Sequence, residues 1–147
     1  MLEKLIRYTA LSDRKYIDCF LQYNVPLAQA ELVFSHILNT QHMWVSRICG
    51  NDPCYDRFHQ HMVGDFEKLH LQNTKDLHDL VIGDNLDKMI EYQNTIGETH
   101  HNTVADILFN VVNHSTYHRG QIATQFKRHG ITPPVTDYVV LVRDGEL

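Results

Sequence analysis

The sequence predicts an all-α protein: an antiparallel four-helix bundle with a small hairpin or irregular insertion before the last bundle helix. Three observations lead there. Four long segments carry apolar residues at helical spacing, and glycine and proline clusters separate them. The 147 residues are enough for one sizeable core, so residues 1–147 read as a single domain.

The first helix runs from about Leu2 to about Gln22, with Leu5, Ile6, Leu11, Ile17 and Phe20 at apolar positions before Asn24 and Pro26 break it. The second spans roughly Leu27 to Ile48 and stops at Gly50-Asn51-Asp52-Pro53. Within it Phe34, Ile37, Gln41, Trp44 and Ile48 form the interior stripe, and Ser35, Asn39, His42 and Ser46 form an opposite polar stripe expected to face solvent. The third covers Val63 to Val81, carries Phe66, Leu69, Leu77 and Leu80, and ends at Gly83-Asp84-Asn85. Two short extended pieces follow, one around Met89–Gln93 and one from Thr95 to His101, joined at Asn94. The last helix starts at Thr103, whose hydroxyl can cap the freed amides while Asp106 sits at the positive helix end, and it runs to about Arg128 before Gly130. Pro133-Pro134 forces an extended exit, and Tyr138-Val139-Val140-Leu141 reads as a terminal helical turn or a short strand.

Composition narrows the function. A net charge of −5 without a basic stripe argues against nucleic acid, because phosphate binding draws on clustered Lys and Arg. No apolar run is long enough for a membrane span. The N-terminus mixes charge into its apolar pattern and lacks a secretory signal, so a cytoplasmic location is expected. Cys19, Cys49 and Cys54 form no Cys-x-x-Cys pair and read as free thiols in a reducing compartment.

Chemistry concentrates in the last helix. His114 and His118 interrupt an apolar stripe formed by Val104, Ile107, Val111, Ile122 and Gln125, so both rings are expected to point from one face toward the interior. Spaced one turn apart, they can converge on one cation; alternatively, each is a core histidine satisfied by a neighbouring hydroxyl or carbonyl. A metal site needs a third ligand. In the second helix His36 lies at the edge of the apolar arc and His42 falls in the polar stripe, so His36 is preferred.

Other patterns are weaker. Cys49-x4-Cys54-x4-His59-x-His61 has zinc-site ingredients at spacings too short for one. Glu67-x-x-His70 and Glu98-x-x-His101 mimic di-iron motifs, but Glu98 falls in the turn region and Glu67 and His70 read as a solvated helix edge. Ser115 beside His114 and Asp106 lacks the exposed Gly-x-Ser-x-Gly elbow, and no phosphate-binding glycine loop occurs.

The stretches His36 to Ile48, with His36, His42 and Trp44, and Val111 to Ile122, with His114-Ser115-Thr116-Tyr117-His118-Arg119-Gly120-Gln121, resemble the DinB/YfiT-like family over nearly the whole chain. The family pattern is an early histidine followed by an apolar run and a tryptophan, then His-x-x-x-His-Arg-Gly-Gln on the last bundle helix. The resemblance implies a four-helix bundle, usually a homodimer, that binds one divalent ion through His36, His114 and His118. Zinc or nickel is expected, with iron as an alternative, since imidazole accepts all of them. Family members often carry a further histidine one turn before the pair, and here that position is Asn110. Asn110 is a candidate partner for His114 and Gln121 for His118, each against the plainer reading of an amide on a helix face.

Three neutral imidazoles leave a coordination position open. Characterised relatives include transferases and isomerases that use low-molecular-weight thiols. The expected function is therefore a metal-dependent thiol S-transferase acting on a small molecule, with a metal-dependent hydrolase as the second choice. A non-catalytic, stress-related metal-binding bundle is the reading from another class. No catalytic base is readable from the sequence.

Overall fold

The computed structural model describes residues 1–83 and 85–147, so Asp84, in the expected stop of the third helix, lies outside the described residues. Helices α1 (Leu2–Tyr23), α2 (Ala28–Cys49) and α3 (Val63–Gly83) precede strands β1 (Met89–Gln93) and β2 (Thr99–Thr103), and then come α4 (Val104–Arg128) and a short α5 (Tyr138–Arg143). The chain is mostly helical with one small antiparallel sheet. Among the described residues no helix is long and apolar enough to cross a membrane.

Local chemistry explains the boundaries. Asn24 closes α1 in the left-handed conformation, φ 43°, and Gly50 does the same for α2. Thr103 and Asp106 form a reciprocal capping box on α4, which satisfies two otherwise unpaired amides. The hairpin pairs Met89 with Thr103 and Gln93 with Thr99. Its second strand starts later than the sequence suggested, because Asn94 builds a turn over residues 94–98. The Asn94 side-chain oxygen accepts from the amides of Ile96 and Glu98, and Gly97 supplies the positive φ. The terminal segment resolves as helix.

The core has two apolar halves. One gathers Ile6, Val45, Ile48, Leu77, Leu80, Ile107, Leu108 and Val111, and the other Ile17, Phe20, Phe34, Ile37, Leu38, Phe66, Ile122 and Phe126. A buried polar layer lies between them, with Thr9, Ser12 and Asp13 from α1, Asn39, Thr40 and Gln41 from α2, His70 and Asn73 from α3, and Ser115 and Arg119 from α4. The order in which each helix passes through these layers gives its direction. α1 and α4 run one way, and α2 and α3 run the other.

Side-chain pairs agree. Phe34 meets Phe66 and Gln41 meets Asn73, so positions on α2 and α3 rise together. Asp13 meets Arg119 and Phe20 meets Phe126, so α1 and α4 are likewise parallel. α2 and α4 are antiparallel, with His36 opposite His118 and Gln41 opposite Ser115. This corrects the expectation that every neighbour is antiparallel. Punctuation in a sequence marks where a helix ends; it does not say which way the next one runs. Residues 50–62 are long enough to carry the chain back before α3 begins.

A candidate metal centre between the second and fourth helices

Antiparallel packing of α2 on α4 sets His36 across from the His114–His118 turn. Their ring centroids lie 4.9 Å (His36 to His114), 4.8 Å (His36 to His118) and 4.3 Å (His114 to His118) apart. One ligating nitrogen from each falls within 4.8 Å of the other two, and this is the group of potential ligands found among the described residues. The Nε2 atoms of His36 and His114 are 3.1 Å apart. Zinc–imidazole bonds of about 2.0–2.1 Å in a tetrahedral site put ligand nitrogens about 3.3 Å apart.

Two of the rings are aimed by protein carbonyls. His36 Nδ1 donates to the Arg57 carbonyl at 2.9 Å, and His118 Nδ1 donates to Gln121 Oε1 at 2.8 Å. Each bond fixes the tautomer whose Nε2 lone pair faces the cluster. His114 Nδ1 is buried without a partner. Burial, reinforced by the neighbouring rings of His118 and His36, pushes the His114 pKa down to about 3, and burial also lowers that of His36. Imidazoles with converging lone pairs and one orphaned buried nitrogen are a donor set that fits a divalent ion.

Gln121 thus sits where a partner for His118 belongs. Asn110 is exposed, lines the neighbouring cleft beside His114 and makes no hydrogen bond to it. The expected burial of the pair needs correction. His114 and His118 lie half-buried at the margin of the α4 stripe, whose centre is Ser115, Arg119 and Ile122. Arg119 is part of that centre, with its guanidinium buried against the Asp13 carboxylate at 2.6 Å and the Thr9 hydroxyl at 2.9 Å.

The polar stripe of α2 does not face solvent either. Ser35, Asn39 and Ser46 are buried. Residues 50–62 cover Ser35 and Asn39: Ser35 Oγ accepts from the His61 amide, and Asn39 Nδ2 donates to the carbonyls of His59 and Arg57. His42 is half-buried, away from the cluster, and its Nε2 accepts from the Cys54 amide at 2.9 Å. These bonds hold the Arg57 carbonyl that aims His36, and Phe58 stacks flat on the His36 ring at 5.3 Å. Sequence reasoning missed this support. Its signal was the pair Ser35 and Asn39, one turn apart beside a histidine.

The competing motifs are not assembled. Cys19, Cys49 and Cys54 are free thiols, the first half-buried and the other two exposed. His61 bonds to Asn39 Oδ1. His70 is buried rather than solvated, with Nδ1 unpartnered and its pKa lowered by burial, while Glu67 on the surface pairs with Arg14. Ser115 is fully buried and accepts from Gln41. Beside the three histidines opens a cleft of about 450 Å³, lined in part by His36, Thr40, Trp44, Arg47, Tyr92 and His114.

A stretch of 53 residues is 40% identical to Protein DinB of Bacillus subtilis (strain 168) and covers 36% of this chain and 31% of that protein. The model of the DinB family matches residues 8–144, and the chain belongs to that family.

Proposed function

We propose that the protein is a divalent-metal-dependent enzyme of the thiol S-transferase type, built on a four-helix bundle, with His36, His114 and His118 as the metal ligands. The observation that carries this reading is the convergence of three imidazoles, two of which, His36 and His114, line an open cleft. A structural site closes its coordination sphere with protein atoms, whereas three ligands beside a cleft leave room for a substrate atom. When bound, the ion supplies a charge that favours the thiolate form of a substrate thiol.

The chain's own residues set the geometry. The Arg57 carbonyl and the Gln121 amide hold two rings in one tautomer and orientation. Phe58 shields one face of His36 from water. In the transfer a sulfur–carbon bond forms, the bond from that carbon to its leaving group breaks, and the thiol proton passes to solvent. A homodimer in the cytoplasm belongs to the same proposal and is checked by sedimentation of the purified protein.

The test is turnover of a small thiol with an aryl halide electrophile. The expected result is activity that disappears on chelation and returns with zinc or nickel. Inactivity across a panel of thiols, with ester cleavage by the loaded protein, would move the reading to a hydrolase. No turnover of either kind would leave a metal-binding bundle.

A further inference from the structure

We infer that the cleft running along α2 from His36 and His114 to Arg47 binds an elongated small molecule whose far end is an oxyanion, received by the Arg47 guanidinium. This rests on the reading above for the near end of the ligand and extends it to a substrate class.

The cleft follows one helical stripe. His36, Thr40, Trp44 and Arg47 recur at intervals of three and four on α2, and all line the same cavity. Arg47 lies about 16 Å along the helix axis from His36 at 1.5 Å per residue, and its guanidinium leans back over Trp44, one turn nearer His36. A simple inorganic anion cannot touch both ends; an extended molecule can.

Arg47 is held open for a ligand. Its guanidinium lies over the rings of Trp44 at 4.8 Å and Tyr92 at 5.2 Å, and one amino nitrogen donates to the Gln93 carbonyl at 3.2 Å. A guanidinium carries five N–H donors, so most remain for a planar oxyanion. Among the described residues no carboxylate forms an ion pair with Arg47. Asp56 also lines the cleft, and its Oδ1 accepts from the Phe58 amide. Arg57 lines the same cavity and repels Arg47, a cost that a bound anion would remove.

Thr40 gives a second, independent sign. It is 5% exposed, borders the cleft between His36 and Trp44, and its Oγ1 has no hydrogen-bond partner. A buried hydroxyl left unpaired costs stability, and a polar atom in the middle of an extended ligand would satisfy it.

Trp44, the single tryptophan of the chain, reports occupancy of the cleft by fluorescence. Titrating 6-mercaptohexanoate and 6-mercaptohexanol into zinc-loaded protein is expected to show the acid binding about tenfold more tightly, a difference of about 1.4 kcal/mol. Arg47→Gln should bring the two within about threefold, and Arg47→Lys should keep a preference for the acid. Equal binding of acid and alcohol by the unaltered protein, or an acid preference that survives Arg47→Gln, overturns the proposal. Repeating the comparison with hexanoate and hexanol on metal-free protein, alongside the thiol absorption band of cobalt-loaded protein, separates the two readings. An acid preference without a cobalt–thiol band upholds this site and rejects the metal one. A cobalt–thiol band without an acid preference does the reverse.

Discussion

His118 and Arg119 are neighbours on α4, yet they enter opposite kinds of polar cluster. On one side Arg119 and Asp13 form a closed pair, nearly inaccessible to water, in which Gln41 bonds to the second Asp13 oxygen, and Asn73 and Ser115 complete Gln41. On the other side three half-buried imidazoles turn lone pairs toward one point beside a cleft, and one buried nitrogen has no partner. Polar groups that satisfy one another hold a fold together, whereas groups that converge without satisfying one another await a ligand.

The comparison is sharpest under substitution. Replacing His114 and His118 together with alanine should reduce bound metal from about one ion per chain to almost none, read by elemental analysis, while the metal-free protein melts close to the unaltered one. Melting of the variant far below metal-free protein would erase the distinction. Asp13→Ala should act conversely. It leaves Arg119 buried and unpaired, at a cost of about 3–5 kcal/mol in urea unfolding. Unchanged stability would show that the closed pair carries no structural weight.

Asn39→Ala tests the link between the two regions. Loss of its bonds to Arg57 and His59 frees the carbonyl that aims His36, and metal affinity should fall about 10–100-fold in a competition assay with a coloured chelator. Gln121→Ala removes one exposed hydrogen bond to His118 and should lie at the low end of that range.

Acid affects both clusters through burial. His70 in the polar layer and His114 in the candidate metal centre are held neutral in the folded chain, below the ordinary histidine pKa of about 6.5. As pH falls past that value the unfolded chain takes up protons that the folded chain refuses. The stability of metal-free protein should therefore be full above about pH 6.5 and decline toward about 3, where His114 itself protonates. Urea midpoints at several pH values check this, and His70→Leu should make the slope shallower. A flat profile would contradict the burial of both rings.

The long helices were legible because their apolar periodicity and their Gly and Pro stops are local properties of the chain. Thr103 and Asp106 announced the start of α4 for the same reason. The histidine trio was legible through the His114–His118 spacing and a family-like pattern around His36, and its meeting point is a matter of helix direction. What stayed hidden was non-local. Ser35 and Asn39 read as solvent-facing because the segment that covers them, residues 50–62, lies far away in sequence, and the partners of Arg119 and Gln41, on α1 and α4, were equally out of reach. The parallel course of α2 and α3 was hidden too, since it depends on where the connector travels.

That connector also divides the molecule by how freely it can change. The three converging histidines stand on helices whose opposite faces are locked into the core, whereas the cleft walls come partly from residues 50–62 and from the β1–β2 turn. Surface segments accept insertions and exchanges that packed helices refuse. Descendants of such a chain can reshape what the cleft admits by redrawing those two segments, while the inner frame and its histidine trio pass on unaltered.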